Sequence, residues 1–178
     1  MKTILAVLLL WVATPGYSQT RISADRASST IRYSMVHPLH EWDGISRSVT
    51  SVVQLGADGK TIERVAVRVP VASFDSGNAS RDSHMMEVTE ALTYPELRFG
   101  STSISESGSM VTVSGTLSFH GVDKPVTFTA QKIWNNGVLK VTGGFPVKLT
   151  DFGIDPPRLL GVATENTFTV AFDVRYAN

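Results

Sequence analysis

The feature that most constrains the fold of this chain is a strict alternation of apolar and polar residues, which recurs from about Ile31 onward. The clearest run is TFTVAFDVRY, and similar runs are ERVAVRVPV, MVTVSGTLSFHG and LKVTGGFPVKL. Shorter alternations occur in IRYSM, VTSVVQL and LRF. A period of two places the apolar side chains on one face, which is the pattern of a half-buried strand. The sequence therefore predicts a chain made mostly of strands.

Turn signals separate these runs. GADGK and NNG are typical of hairpins, because Asp-Gly and Asn-Gly readily adopt positive φ, and ESGS and GVDKP are predicted to fill similar positions. Short strands with one apolar face and tight turns favour an all-β fold, with an antiparallel sheet closed into a barrel or folded into a sandwich. A barrel of about eight strands can hold one small ligand in its interior.

One stretch, SGNASRDSHMMEVTEALTYP, breaks the pattern and predicts a short helix. Ser80 is the predicted cap, the helix runs to about Ala91, and Pro95 follows its end. A single helix in a β chain commonly covers one end of a barrel. The alternative is a connecting helix that only packs against the sheet.

The first residues predict a secretory signal peptide over 1–18 and one domain over 19–178. Lys2 precedes an apolar run from Ile4 to Ala13, and Gly16 and Ser18 are small residues before the predicted cleavage point. The run is about half the roughly 20 residues that span a bilayer. The alternative is a buried N-terminal helix. An exported chain without cysteine fits a bacterial periplasm.

The sequence resembles the YceI-like family through STIRYSMVHPLH, VPVASFDSGNASRDSHMM, TYPELRFGSTSI, VSGTLSFHGVDKPVTF and LTDFGI. The resemblance covers essentially the whole predicted domain. It implies a lipocalin-like antiparallel β-barrel of about eight strands with one short helix near its mouth. It also implies an exported carrier of isoprenoids, fatty amides or related lipids. The segments HPLHEW and DPPRLLGV depart from the family pattern near the expected barrel mouth.

The family implies an apolar ligand tail inside the barrel. The predicted lining is Met35, Val67, Val69, Phe99, Val113, Leu117, Phe119, Phe145, Phe168 and Phe172. Ten buried methylenes would supply about 8 kcal/mol of gross binding free energy. Alternation alone leaves a solid core equally open, and the resemblance favours the cavity.

The predicted contacts to a ligand head group are His37, His40, Arg81 and His84. Arg81 and histidine N–H groups could donate hydrogen bonds to a phosphate, carboxylate or amide. Each histidine could instead be satisfied by a backbone carbonyl. His120 is expected to orient a hairpin.

The sequence leaves three functions open. The first is a periplasmic carrier that requires no cofactor, catalyses no reaction and binds a polyprenyl, quinone-like or fatty-acid derivative. The second is a metal-binding stress protein or metal-dependent enzyme that uses His37, His40 and His84, which requires HPLH to be a turn. The third is an interaction domain with a solid core.

Some properties are excluded by the sequence and others are left open. Sixteen basic and sixteen acidic side chains offer no electrostatic case for nucleic acid or an anionic membrane surface. The chain has no cysteine and no Gly-x-Ser-x-Gly motif, which are common sources of a nucleophile. The identity of the lipid, pairing into a homodimer and a partner at the inner membrane stay open.

Overall fold

The computed structural model describes residues 20–159 and 161–177. The predicted signal peptide lies outside the described residues. The strands are β1 (Thr20–Ala24), β2 (Thr30–His37), β3 (His40–Ser46), β4 (Thr50–Leu55), β5 (Ile62–Pro70), β6 (Glu96–Ser107), β7 (Met110–Phe119), β8 (Val122–Asn135), β9 (Val138–Lys148), β10 (Arg158–Leu159), β11 (Val162–Ala163) and β12 (Thr167–Ala177). One α-helix, α1 (Ala79–Val88), and two 3-10 turns, Val71–Ser73 and Leu149–Phe152, complete the described elements.

The long strands form a closed antiparallel barrel. Hydrogen bonds join them in the order β1-β4-β5-β6-β7-β8-β9-β12, and β1 also pairs with β12, which closes the ring. Strand β2 continues along β12 where β1 stops, and β3 forms a hairpin with β2. Thus β1 with β2, and β3 with β4, each serve as one interrupted strand. The result is the predicted eight-stranded barrel.

The alternation of the sequence matches the inward and outward faces of the barrel. On β12, Phe168, Val174 and Tyr176 are buried, whereas Thr169 and Arg175 are exposed. The prediction of one apolar inward face per strand is therefore confirmed.

The prediction that GVDKP is a turn is wrong. The turn consists of His120 and Gly121, with φ of 51° and 72°, and β8 begins at Val122. Two residues with positive φ form the tight hairpin turn that suits the twist of the flanking strands. Asp123 and Pro125 therefore lie within a strand, where they face outward. The His120 side chain reaches the second 3-10 turn, where its Nδ1 lies 2.9 Å from the Phe152 carbonyl oxygen.

The predicted start and end of the helix also need correction. Asn78, not Ser80, is the cap, because its Oδ1 accepts the backbone N–H of Arg81 at 3.1 Å. The helix ends at Val88 rather than near Ala91. Glu90 adopts a φ of 46°, and the Ala91 N–H then donates to the Met86 carbonyl at 2.9 Å. This pair of features is the Schellman motif, which ends a helix by satisfying its last carbonyls. No helix among the described residues is long and apolar enough to cross a membrane.

Buried apolar side chains form two separate clusters, one at each end of the barrel. The cluster at the α1 end includes Phe119, Val147 and Phe152, and the cluster at the opposite end includes Leu55 and Leu139. We call the second end the floor. The two clusters leave the middle of the barrel between them, which is where the candidate site lies.

A polar seal lies beyond the floor cluster. Lys132 forms an ion pair with Glu106, and the side chains are only 12% and 16% exposed. The second carboxylate oxygen of Glu106 accepts the backbone N–H of Ile62 at 2.9 Å. Trp134 donates from Nε1 to the Lys60 carbonyl at 3.3 Å. These contacts tie β8 to the β4–β5 and β6–β7 hairpins and close this end.

Replacing Gly115 with Ala should lower the free energy of unfolding by about 2–3 kcal/mol, as overpacking typically does. A Cβ there would lie 2.4 Å from the Gly100 carbonyl oxygen and 2.5 Å from the Phe99 ring. Gly100→Ala is the matched control, because a Cβ at that position meets no atom within 4 Å. Urea unfolding measures both, and equal losses would contradict the steric argument.

Candidate functional site

The barrel encloses an apolar cavity of about 230 Å³ that follows its axis. At the floor the cavity meets Ile62, Val111 and Tyr176, and at the other end it meets Arg81 and Met85 of α1. Its side walls are inward-facing residues of the long strands. The cavity is therefore apolar along its length and has a charged group at the α1 end.

Four phenylalanines form a belt around the middle of the cavity. Phe128 stacks on Phe145 with ring centroids 4.8 Å apart, and it also contacts Phe99 at 5.5 Å and Phe172 at 5.6 Å. All four point inward, yet each is only partly buried. Inward aromatic rings would be fully buried in a close-packed core. Their residual exposure shows that the interior is hollow, which decides the question that alternation left open.

The deep part of the cavity is polar at one point but uncharged. Tyr176 and Ser51 share a hydrogen bond of 2.7 Å, and the Ser51 hydroxyl also donates to the Ala66 carbonyl at 3.0 Å. Burial raises the pKa of Tyr176 to about 12. The phenol therefore stays neutral at physiological pH, and the deep end suits the end of a hydrocarbon chain.

The mouth is built from α1 and the β2–β3 hairpin. The Arg81 guanidinium lies over the Trp42 ring, 5.1 Å from its centroid, and Trp42 stacks against His40 at 5.1 Å. A cation over an indole face is attracted by the ring quadrupole. This contact holds a positive charge at the rim, and the Arg81 guanidinium donates no hydrogen bond to any other residue in 20–159 and 161–177.

Tyr33 places a second polar group at the mouth. It pairs across the hairpin with Gly44, where an added Cβ would lie 2.2 Å from the Tyr33 ring, so the ring needs a glycine beneath it. The hydroxyl is buried and makes no hydrogen bond of normal geometry to the described chain. Burial raises the pKa of Tyr33, although the neighbouring Trp42 offsets part of this effect. The hydroxyl is therefore a neutral donor without a partner of normal geometry in the described chain, close to Arg81.

Comparison with known sequences identifies the family. The YceI-like domain profile matches residues 23–176. The chain belongs to the YceI-like family. A "UPF0312 protein" of Pseudomonas fluorescens is 31% identical over 139 residues, which are 72% of this chain and 69% of the relative. "Protein YceI" of Salmonella newport is 24% identical over 159 residues, or 84% and 83% of the two chains.

Solved structures show the same fold. The crystal structure of BcnA from Burkholderia cenocepacia superposes with a TM-score of 0.76 at 19% identity and covers 85% of this chain and 98% of that one. A polyisoprenoid binding domain from Saccharophagus degradans gives a TM-score of 0.71 at 15% identity, with 88% and 97% covered. These likenesses establish the YceI-like barrel.

Within this YceI-like barrel, the structure places all ten predicted tail residues on the cavity wall. Their contact with a ligand stays a prediction. Phe128, Phe74 and Met85 also line the cavity and were not predicted. The alternation in VTFTAQ indicates Phe128 as an inward residue, but reading GVDKP as a turn obscured the start of that strand.

The structure places two of the four predicted head-group residues on the cavity wall and two outside it. Arg81 and His84 line the cavity from α1, and His84 Nδ1 lies 3.6 Å from a Glu87 carboxylate oxygen. His40 is exposed at the end of the hairpin, beside Trp42. Trp42 and Tyr33 join Arg81 at the mouth and were not predicted, although they lie on the same hairpin as His37 and His40.

His37 faces inward as predicted, but both of its ring nitrogens meet main-chain groups. Nδ1 accepts the Leu39 N–H at 3.2 Å, so Nε2 carries the proton and donates to the Val162 carbonyl, also at 3.2 Å. The ring is 2% exposed and lies outside the cavity lining. This histidine ties the β2–β3 turn to β11.

The metal-site alternative required His37, His40 and His84 to converge. Pro38 and Leu39 do form the required turn, and His37 lies opposite His40 with ring centroids 5.5 Å apart. Within residues 20–159 and 161–177, however, no three histidine, aspartate or glutamate side chains come together as a metal site. The described residues therefore offer no support for a metal-dependent function.

Proposed function

We propose that this YceI-like protein binds an isoprenoid or another long-chain amphiphilic lipid and carries it through the periplasm without catalysing a reaction. The tail occupies the barrel and the head group lies at the mouth. The observation that carries the proposal is the hollow apolar interior, in which the belt of Phe99, Phe128, Phe145 and Phe172 remains accessible. The binding of polyisoprenoid by a domain of the same fold agrees with this proposal.

The chemistry of the cavity explains why a chain with one polar end fits. Each methylene transferred from water into the apolar interior contributes about 0.8 kcal/mol. The walls are apolar from Ile62 to the mouth, and the charged and hydroxyl groups gather around Arg81 and Tyr33. An amphiphile that enters tail first therefore places its polar end beside hydrogen-bond donors.

The first test is native mass spectrometry of the protein purified from the periplasm of its own cells, followed by solvent extraction and identification of the released molecule. We expect one long-chain amphiphile per barrel. An empty protein under conditions that retain lipids would contradict the proposal. A stoichiometric metal ion in its place would revive the metal-dependent alternative.

Arg81→Ala should weaken binding of an anionic head group about tenfold or more, because a hydrogen bond to a charged group contributes about 1.5–3 kcal/mol. Binding of a neutral amphiphile should change less than twofold. Fluorescence titration with a fatty acid and with its primary amide of equal chain length measures the two effects. Arg175→Ala is the matched control, since Arg175 is exposed on the outer surface of β12. Equal losses for acid and amide would remove Arg81 from the head-group contact.

A further inference from the structure

The outer wall of β4, β5 and β6 carries a group of exposed arginines. Arg68 on β5 lies directly opposite Arg98 on β6 and opposite Thr50 on β4. Arg26 reaches the same row, because it donates to the Thr50 hydroxyl at 2.9 Å. Arg64 lies four residues before Arg68 on the same outward side, about 13 Å along the strand. We call Arg26, Arg64, Arg68 and Arg98 the arginine face; all four are exposed.

The arginine face carries more positive than negative charge, although two glutamates lie on the same wall. Glu96 lies beside Arg68, and Glu63 accepts a hydrogen bond from Gln54, the register partner of Arg64, at 3.3 Å. Arg68 lies 3.4 Å from Glu96, and among the described residues the other three arginines form no ion pair. The nearby Asp25 carboxylate accepts hydrogen bonds from Ser28 and Ala27 instead. Like charges directly opposite each other on neighbouring strands are destabilising. The opposition of Arg68 and Arg98 therefore does not stabilise the sheet, and of the two only Arg68 has a described carboxylate partner.

Between the arginines the wall is indented. Ala66 and Gly100 are register partners, and both face outward between the Arg64 and Arg68 positions. A recess of about 280 Å³ opens here, lined in part by Val52, Ala66, Arg68 and Arg98. Small residues beside long guanidinium side chains let an anionic group approach the sheet closely. A planar guanidinium group can donate two parallel hydrogen bonds to two oxygens of one phosphate.

We propose that the arginine face docks the protein on a membrane surface rich in anionic phospholipid. A protein partner of usual affinity needs an apolar interface core. The large hydrophobic side chains that are exposed in the described chain lie elsewhere than β4–β6; they are Leu39, Ile45, Leu92, Met110, Ile133 and Val162. Attraction to anionic headgroups requires no apolar anchor, only several separated cations. An arginine-rich surface without apolar anchors fits a phosphate-bearing membrane better than a protein, and this local excess of positive charge is not visible in the balanced net charge of the chain.

The inference goes beyond the proposed function, since docking does not require a filled cavity. The test is cosedimentation of the purified protein with vesicles of phosphatidylglycerol and phosphatidylcholine in equal parts, and with vesicles of phosphatidylcholine alone, at low salt. We expect binding only to the anionic vesicles, and its loss at about 0.3 M salt, because screening weakens such attraction.

The variant R68Q/R98Q should bind the anionic vesicles about 20- to 30-fold more weakly, since each arginine near an anionic surface contributes about fivefold. The matched control is K140Q/K148Q, which removes two positive charges from β9, the strand opposite β5 across the barrel. The control should bind within twofold to threefold of the parent. Circular dichroism melting shows whether each variant keeps its fold.

Two outcomes would overturn the proposal. One is equal binding of the parent to both vesicle types or to neither, which would leave the arginine face to an acidic protein. The other is an equal loss for the two double variants, which would assign the effect to net charge alone. The variant F172R, which tests the cavity, should still dock. Its result therefore separates a failure of docking from a failure of lipid carriage.

Discussion

Phe172→Arg is expected to abolish lipid binding. Phe172 belongs to the phenylalanine belt and contacts Phe128 at 5.6 Å, in the middle of the apolar cavity. A guanidinium there narrows the cavity and would have to be desolvated by the arriving hydrocarbon tail. Burying an unpaired charge costs far more free energy than the few methylene groups in contact with it would contribute. We expect at least a 100-fold loss of affinity and no lipid after purification.

Two further variants show whether such a loss reflects the cavity or the fold. Thr169→Arg places the same side chain on the exposed outer face of β12 and should leave lipid occupancy unchanged. Val67→Trp fills the cavity with an apolar group, so it should block the tail while the barrel stays folded. Native mass spectrometry reports occupancy, and circular dichroism reports folding. Full occupancy in a folded Phe172→Arg or Val67→Trp protein would refute a tail-binding cavity.

Lys132→Met is expected to destabilise the barrel by about 3 kcal/mol, the lower end of the range for breaking a buried ion pair. The substitution leaves the Glu106 carboxylate at the floor with the Ile62 N–H as its remaining described partner. One hydrogen bond from a backbone N–H does not compensate the desolvation of this carboxylate. Urea unfolding of parent and variant measures the difference in free energy of unfolding.

Lys140→Met is the control that shows whether burial of the ion pair causes the loss of stability. Lys140 pairs with Asp173 at 2.9 Å on the outer surface, where the two side chains are 36% and 37% exposed. An exposed pair typically contributes less than about 1 kcal/mol. The double variant Lys132→Met/Glu106→Leu should recover most of the lost stability, because both charges are then gone. Equal losses for Lys132→Met and Lys140→Met would show that the floor pair behaves like a surface pair.

The boundaries of the elements show where sequence reasoning failed. The cap at Asn78 and the end of the helix near Glu90 depend on individual hydrogen bonds and one positive φ, which several neighbouring residues could have supplied. The hairpin turn at His120 and Gly121 was displaced to GVDKP because Asp and Pro are stronger turn signals than His. Each error displaced the predicted end of a helix or a turn. The residues predicted to face into the barrel were not affected.

The candidate site shows a second limit of prediction from a single sequence. His37 and His40 were singled out by residue type, but a hydrogen bond to Val162, which is 125 residues away, keeps His37 out of the cavity. Trp42 and Arg81 meet only because the β2–β3 hairpin lies against α1. A single sequence carries no signal for such long-range pairs.

The sequence by itself determined the class of the fold and the inward face of each long strand, because a period of two leaves a strand only one apolar side to bury. It also determined the ten predicted residues that line the interior. Only the tertiary structure decided that the interior is hollow, since the same alternation serves a solid core and a cavity, and the difference depends on how far the walls stand apart. The tertiary structure likewise decided which polar side chains reach the mouth, because these come from segments that only the closed barrel brings together.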